Sequence, residues 1–417
     1  MKYKTMLLRN TISEVLDVQK IMTKPQPEVE RRLLASLPDF SGKAVVLKGV
    51  RRAGKSTLQR QLMRRQSPNL YCNLEDTRLY GMTPADFPTL ESVIEERMPS
   101  GGVIFFDEVQ EVEGWERLVR SLLDRGHQVC VTGSNASLLG KELGSKLTGR
   151  HLSFEVFPFD YDEYLAFTSL MPGPESLLAF LDDGGFPTYL QDHSDQTLQE
   201  LLRDIVLRDI ALRYGLRETR HLMNLALFLL AHTGQTFSIQ SLAKSLAIPS
   251  AAQTSRYLEY LNDAYLLFPL AKFSASFRQR VVAPNKYYAV DNGLRRANSP
   301  QATPDRGRRL ENQVFLALRS RGESPCYDGE KDLWECDFVT RTQAIQVCCE
   351  LTPENRGREL RGLLRACRPV GSPARRPLVV TLAQRDSLVE DGQTIEVVPA
   401  WEWLTARFSG TAAPAGA

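Results

Sequence analysis

No two cysteines in this sequence stand at C-x-x-C spacing. The seven present, Cys72, Cys130, Cys326, Cys336, Cys348, Cys349 and Cys367, are odd in number. That pattern argues against a disulfide framework and a structural zinc site, and it suits a reducing compartment. A dominant charge is also lacking: 52 basic residues face 50 acidic ones, a net of +2. Any phosphate-binding surface must therefore be local. No uninterrupted apolar run is long enough to cross a bilayer. The opening MKYKTMLLRNTISEVLD turns polar too early for a secretory core. A cytoplasmic protein without a membrane partner is expected. No internal repeat is visible.

What is present fits a soluble chain of several domains: 417 residues, 42% apolar and 24% charged. Apolar runs at 44–48, 70–74, 103–106 and 128–132 read as buried strands. Helical stretches separate them, which predicts an α/β domain with a parallel sheet. Residues 28–37 read as an amphipathic helix.

The sharpest signal is Gly49-Val50-Arg51-Arg52-Ala53-Gly54-Lys55-Ser56, which is G-x-x-x-x-G-K-S between a strand and a helix. Glycines let backbone N–H groups wrap phosphates, and the helix N-terminus adds a positive dipole end. Lys55 supplies a mobile cation for the β- and γ-phosphates, and Ser56 a hydroxyl for Mg²⁺. The expected nucleotide contacts are Gly49, Arg51, Arg52, Ala53, Gly54, Lys55, Ser56 and Thr57. The second half is Val103-Ile104-Phe105-Phe106-Asp107-Glu108, a buried strand ending in two acids. Asp107 would hold the Mg²⁺ shell, and Glu108 would orient or deprotonate the attacking water. After the fourth strand, Thr132 or Ser134 could sense the γ-phosphate, while Ser134 or Asn135 could equally cap a helix. Arg150 follows Gly149 and is either a finger reaching a neighbouring subunit's phosphate or a surface arginine.

These residues carry a resemblance. LKGVRRAGKSTL, FFDEVQEVEGWERLVRSLLD, VTGSNASLL, GRHLSFEVFPFDYDEY, GGFPTYL, YYAVDNGL, RRLENQVFLAL, ECDFV and IQVCCEL occur in that order along nearly the whole chain. The sequence resembles bacterial and archaeal AAA+-type ATPases that pair a P-loop domain with a C-terminal domain of unknown function. It also resembles the archaeal STAND-type ATPases, which carry a winged helix and a nuclease-like C-terminal domain. The resemblance implies ATP and Mg²⁺ as ligands and a finger role for Arg150.

Phe237 to Phe273 reads as helix, turn, helix, strand, and the resemblance implies a winged helix. Gln253, Thr254, Ser255 and Arg256 are candidate groove contacts, and Lys272, Arg278, Arg280 and Lys286 candidate phosphate contacts. A structural or protein-binding winged helix is the competing reading, since this helix also carries Glu259 and Asp263. Further on, Glu311 on a helix, Asp337 on one strand and Gln346 on the next follow the order of a PD-(D/E)xK nuclease core, and could gather a divalent metal. The lysine position of that pattern holds Cys348, so weak or no cleavage is expected. Arg356, Arg358, Arg361, Arg365 and Arg368 would suit a phosphate surface, or simply a solvated basic face.

The fold class expected is therefore α/β: a P-loop NTPase (AAA+-type) parallel sheet with a helical lid, then a winged helix, then an α/β restriction-endonuclease-like domain. The divisions expected are an N-terminal extension (1–27), the ATPase domain (28–162), the lid (163–232), the winged helix (233–280), a degenerate nuclease-like domain (281–408) and a disordered tail (409–417). Three functions compete. The first is an ATPase acting on DNA or another protein, as a candidate homo-oligomer. The second is a nucleotide-gated switch or scaffold, and the third an ATP-dependent DNA-processing nuclease.

Overall fold

A computed structural model describes residues 7–22, 28–40, 42–134, 147, 149–274, 276, 283–299, 305–330, 332–368 and 373–405. Asn135, Arg278, Arg280 and the tail expected at 409–417 lie outside them. The chain divides into two compact units, residues 1–157 and 158–417.

In the first unit the strands are β1 (Ala44–Lys48), β2 (Asn69–Asn73), β3 (Val103–Asp107), β4 (Gln128–Gly133) and β5 (His151–Glu155). They form one sheet in the order β2-β3-β4-β1-β5, with every neighbouring pair parallel. Helices α1 (Arg9–Met22), α2 (Lys55–Met63), α3 (Phe87–Arg97) and α4 (Trp115–Asp124) accompany it. All five β3 residues are buried, as continuous apolar strands of a parallel sheet are. Each fully buried aromatic or aliphatic side chain here contributes roughly 1.5–3 kcal/mol.

Two expectations change. Within the expected extension (1–27), Arg9–Met22 form α1, whose Ile12, Val15 and Leu16 join the core with Leu70 and Cys72 of β2. Their spacing puts them on one helical face. Gln19 then exchanges hydrogen bonds with Asn73, its Oε1 accepting from the Asn73 N–H at 2.8 Å and its Nε2 donating to the Asn73 carbonyl at 3.1 Å. This satisfies the backbone of an edge strand. The helix expected at 28–37 shrinks to one tight turn, Arg32–Ala35. Leu34 is its one buried residue, and Pro38 follows close behind.

The second unit opens with α5 (Tyr161–Thr168), α6 (Pro174–Asp183), α7 (Pro187–Asp192) and α8 (Asp195–Asp204), which runs into a π-helical stretch, Ile205–Leu212. Next come α9 (Arg220–Ala231), β6 (Thr236–Phe237), α10 (Ile239–Ser245), α11 (Ala251–Asp263), β7 (Leu267–Leu270) and β8 (Asn285–Ala289). The three strands form an antiparallel sheet, β6-β8-β7. Its central strand, β8, lies beyond the boundary expected at 280. That segment completes the small sheet because it pairs with both β6 and β7 before the chain reaches α12 (Asn292–Asn298). Asp291 ties the region together: it accepts from Leu294 N at 2.7 Å, capping α12, and from Gly185 N at 2.6 Å. This one carboxylate links the VDNGL and GGFP motifs. Burial raises its pKa to about 6, against the pull of these donors.

The remainder contains α13 (Arg306–Ser320), β9 (Cys326–Glu330), β10 (Trp334–Val339), β11 (Gln343–Val347), α14 (Pro353–Cys367), β12 (Arg376–Thr381), β13 (Asp386–Glu390), β14 (Gln393–Pro399) and α15 (Ala400–Thr405). The six strands run β13-β14-β12-β11-β10-β9. β9, β10 and β11 form an antiparallel meander, while β11, β12 and β14 are parallel.

Candidate nucleotide-binding site

β1 feeds the loop 49–54, and α2 begins at Lys55. Gly49 lies against the chain leaving β5, where a Cβ would meet the Val156 carbonyl oxygen at 2.0 Å. Arg52 and Gly54 are left-handed, with φ of 63° and 92°. Left-handed residues in such a turn line up successive N–H groups into an anion-binding concavity. The α2 N-terminus, without a side-chain cap, follows directly. Lys55 is 4% exposed. Its ammonium donates to the carbonyls of Gly49 at 3.1 Å and Val50 at 3.0 Å. Ser56 and Thr57 are half-buried on the first turn of α2, and the Thr57 hydroxyl accepts from Arg60 Nη2 at 3.0 Å.

β3 ends in Asp107, 3% exposed. Each neighbouring strand gives it one hydroxyl: Tyr71 of β2 donates at 2.7 Å to one carboxylate oxygen, and Thr132 of β4 donates to the other. Thr132 Oγ1 also accepts from the Glu108 N–H at 3.0 Å. Burial, then the Asp107 carboxylate, push the Tyr71 phenol above its ordinary pKa, so it remains a donor. Glu108 is left-handed at φ 53°, and its carboxylate accepts from Gln110 Nε2. That same amide nitrogen lies 3.5 Å from Ser134 Oγ. Because β1, β4 and β3 are adjacent and parallel, the loop, Thr132 and both acids meet at the carboxyl edge of the sheet, where ligands of open α/β sheets bind.

Sequence reasoning missed Arg31. It is 4% exposed, and its guanidinium donates to Ala53 O and Phe157 O, each at 2.7 Å. It braces the phosphate loop against the chain leaving β5. Its partners lie 22 and 126 residues away, so no local pattern marks it.

The second expected cluster also assembles, with an unexpected member. Glu311 sits on α13, Asp337 on β10 and Gln346 on β11. Between them stands Lys286 of β8, 2% exposed. Its ammonium lies 3.1 Å from Glu311, 2.7 Å from Glu335 and 3.4 Å from Asp337. Lys286 is therefore a buried ion-paired group and not the phosphate contact expected of it. Tyr288 donates to Glu311 at 2.6 Å, Val347 N donates to Asp337 at 2.9 Å, and Gln346 Nε2 donates to Glu359 at 2.8 Å. Burial, then the Glu311 carboxylate, raise Asp337 to about 8 against the pull of Lys286. Cys348, in the motif's lysine position, is raised to about 12 by burial and by Glu359 and Asp337, so it is a neutral thiol.

Residues 41–165 match a family described as an AAA domain, and residues 175–305 match a domain of unknown function (DUF8612). An uncharacterized protein of Methanocaldococcus jannaschii is 29% identical, covering 96% of this chain and 95% of its own. One from Haemophilus influenzae is 33% identical over 74% of this chain and 83% of its own length. The chain belongs to their family of AAA-type P-loop ATPases. Among solved structures, a STAND protein with a tetratricopeptide repeat sensor from Pyrococcus horikoshii aligns at 15% identity and a TM-score of 0.30. That alignment covers 72% of this chain and 47% of the other, so this chain spans under half of that protein.

In this AAA-type ATPase Arg150 lies far from its own phosphate loop. It immediately precedes β5, and its carbonyl accepts from Ala44 N at the start of β1. At about 3.3 Å per strand residue, the length of β1 separates it from Gly49 by roughly 16 Å. Its guanidinium donates to Asp124 of α4 at 2.6 Å. Other expected contacts are engaged elsewhere. Thr254 is buried and donates to Ser250 O at 3.1 Å, so it cannot meet a groove. Gln253 donates to Tyr257 at 2.6 Å and the Ser255 hydroxyl lies 3.4 Å from Glu259, while the backbone at Lys272 forms a parallel β-bridge with Tyr327 that leaves the lysine side chain uncommitted by that pairing. Arg256 is exposed. On α14, Arg356 and Arg358 pair with Glu390 and Glu359 at 2.7 and 2.5 Å, which reduces the free charge of that face. No described helix is long and apolar enough to cross a membrane.

Proposed function

We propose that this chain is a magnesium-dependent ATPase that couples hydrolysis to a conformational change on a macromolecular partner, DNA or another protein. The observation that carries the reading is the acid pair Asp107-Glu108, held by Tyr71 and Thr132 at the same sheet edge as the phosphate loop. Bound MgATP supplies the scissile phosphoanhydride and the charge that the loop neutralises. Lys55 exchanges two neutral carbonyls for phosphate oxygens, which a short ammonium on a flexible stem can do. Ser56 and Asp107 form the all-oxygen donor set that magnesium prefers. Glu108 orients the attacking water, and its left-handed backbone is the local strain often found at such sites. Thr132 positions Asp107, which favours Ser134 as the group left to sense the γ-phosphate.

Arg150 stands at the far edge of the sheet, so its finger role requires a second subunit, and the active form is a homo-oligomer. The test is phosphate release from ATP with and without magnesium, then with DNA across a salt series. Release abolished by chelator supports the reading, and no release under any condition sinks it. Stimulation by DNA that fades with salt identifies DNA as the partner; unchanged rates with no salt-sensitive binding leave a protein partner.

A further inference from the structure

The order Glu311, Asp337, Gln346 on a helix and two strands is that of a fold whose working members hold a divalent metal there. The residues present do not fit one. Glu311, Glu335 and Asp337 converge from α13 and β10 on a single point, and that point is the Lys286 ammonium, 2.7–3.4 Å from all three. The lysine reaches it from β8, in another sheet. We propose that Lys286 is a built-in cation that fills the metal position of this site, closing the C-terminal domain to divalent ions.

Four observations support it. A side chain that is 2% exposed is not a surface lysine resting on nearby acids. Metal ligands stand 2.0–2.6 Å from an ion, whereas these oxygens stand at ammonium distances. Among the described residues no group of three or more metal-ligating side chains is arranged to hold a metal. Finally, Gln346 is 6% exposed, and its Oε1 has no partner. Cross-strand register (Phe338 opposite Ile345) puts Gln346 opposite Asp337. A neutral amide thus stands beside the site where a second strand carboxylate would add charge for a metal. Lys286 and Gln346 together replace a dication and an acid with a monocation and an amide, and the balance of charge is preserved.

The test titrates the full-length chain, free of nucleotide, with Mn²⁺ alone, reading the free aqueous ion by electron paramagnetic resonance. The parent takes up no Mn²⁺ that depends on Asp337. Lys286→Met, which keeps length and removes charge, takes up one equivalent, and Lys286→Met combined with Glu311→Gln loses it again. A parent that binds one Mn²⁺ and loses it in Asp337→Asn overturns the proposal. So does a folded Lys286→Met, checked by circular dichroism, that binds no more than the parent. Should Lys286→Met fail to fold, the parent titration decides alone, uptake lost in Asp337→Asn counting against and none counting for.

Discussion

Two buried lysines, one in each unit, have opposite surroundings. Lys55 is 4% exposed and Lys286 2%. Lys55 rests on two neutral carbonyls of its own loop; Lys286 is surrounded by three acidic side chains from other elements. A charged group held only by neutral acceptors gains when an anion arrives, because ion–ion contacts exceed ion–dipole ones in a low dielectric. A charged group already neutralised by carboxylates has nothing to gain. Burial and residue type are shared, so function is read from partners: Lys55 is available to a phosphate, and Lys286 is committed to the fold.

That contrast can be broken by substitution. The largest effect is expected at Lys55→Ala, which leaves the fold intact and weakens nucleotide binding about 100-fold or more, at roughly 1.5–3 kcal/mol for each charged hydrogen bond lost to phosphate. Fluorescent-nucleotide titration measures it. Lys286→Met should do the reverse, sparing nucleotide binding but lowering stability by about 3–5 kcal/mol, the usual result of orphaning buried charges. Urea unfolding reads this, and similar stability losses in both variants would erase the distinction.

What the sequence revealed follows the same division. A phosphate loop is legible because its geometry is set within eight consecutive residues, and the acid pair because a buried strand must end somewhere polar. The partners that set these groups' properties are not legible. Tyr71 is 36 residues from Asp107, and Lys286 is 51 from Asp337. Searching for a lysine two positions after Gln346 finds Cys348 and misses an ammonium delivered from another sheet. Helix α1 was missed for the same reason: its apolar face is ordinary until β2 is there to receive it.

Smaller effects sharpen the comparison. Tyr71→Phe removes one of two hydroxyls orienting Asp107, and turnover should fall about tenfold with little change in nucleotide affinity; steady-state kinetics separate the two. For Asp337, whose pKa rises from 3.8 to about 8, the folded state binds the extra proton. Its contribution to stability is complete below 3.8 and is lost as pH rises through about 8. Melting temperatures measured across that window should fall more steeply with pH in the parent than in Asp337→Asn. Equal slopes would mean that the carboxyl titrates normally.

The most direct measurement of the central claim compares ATP binding and phosphate release, side by side, in the parent and Glu108→Gln. The account predicts that Glu108→Gln binds MgATP as the parent does and turns it over about 100-fold or more slowly, the usual cost of removing a positioned base. Equal turnover in the two proteins, or a parent that binds no ATP, would contradict it.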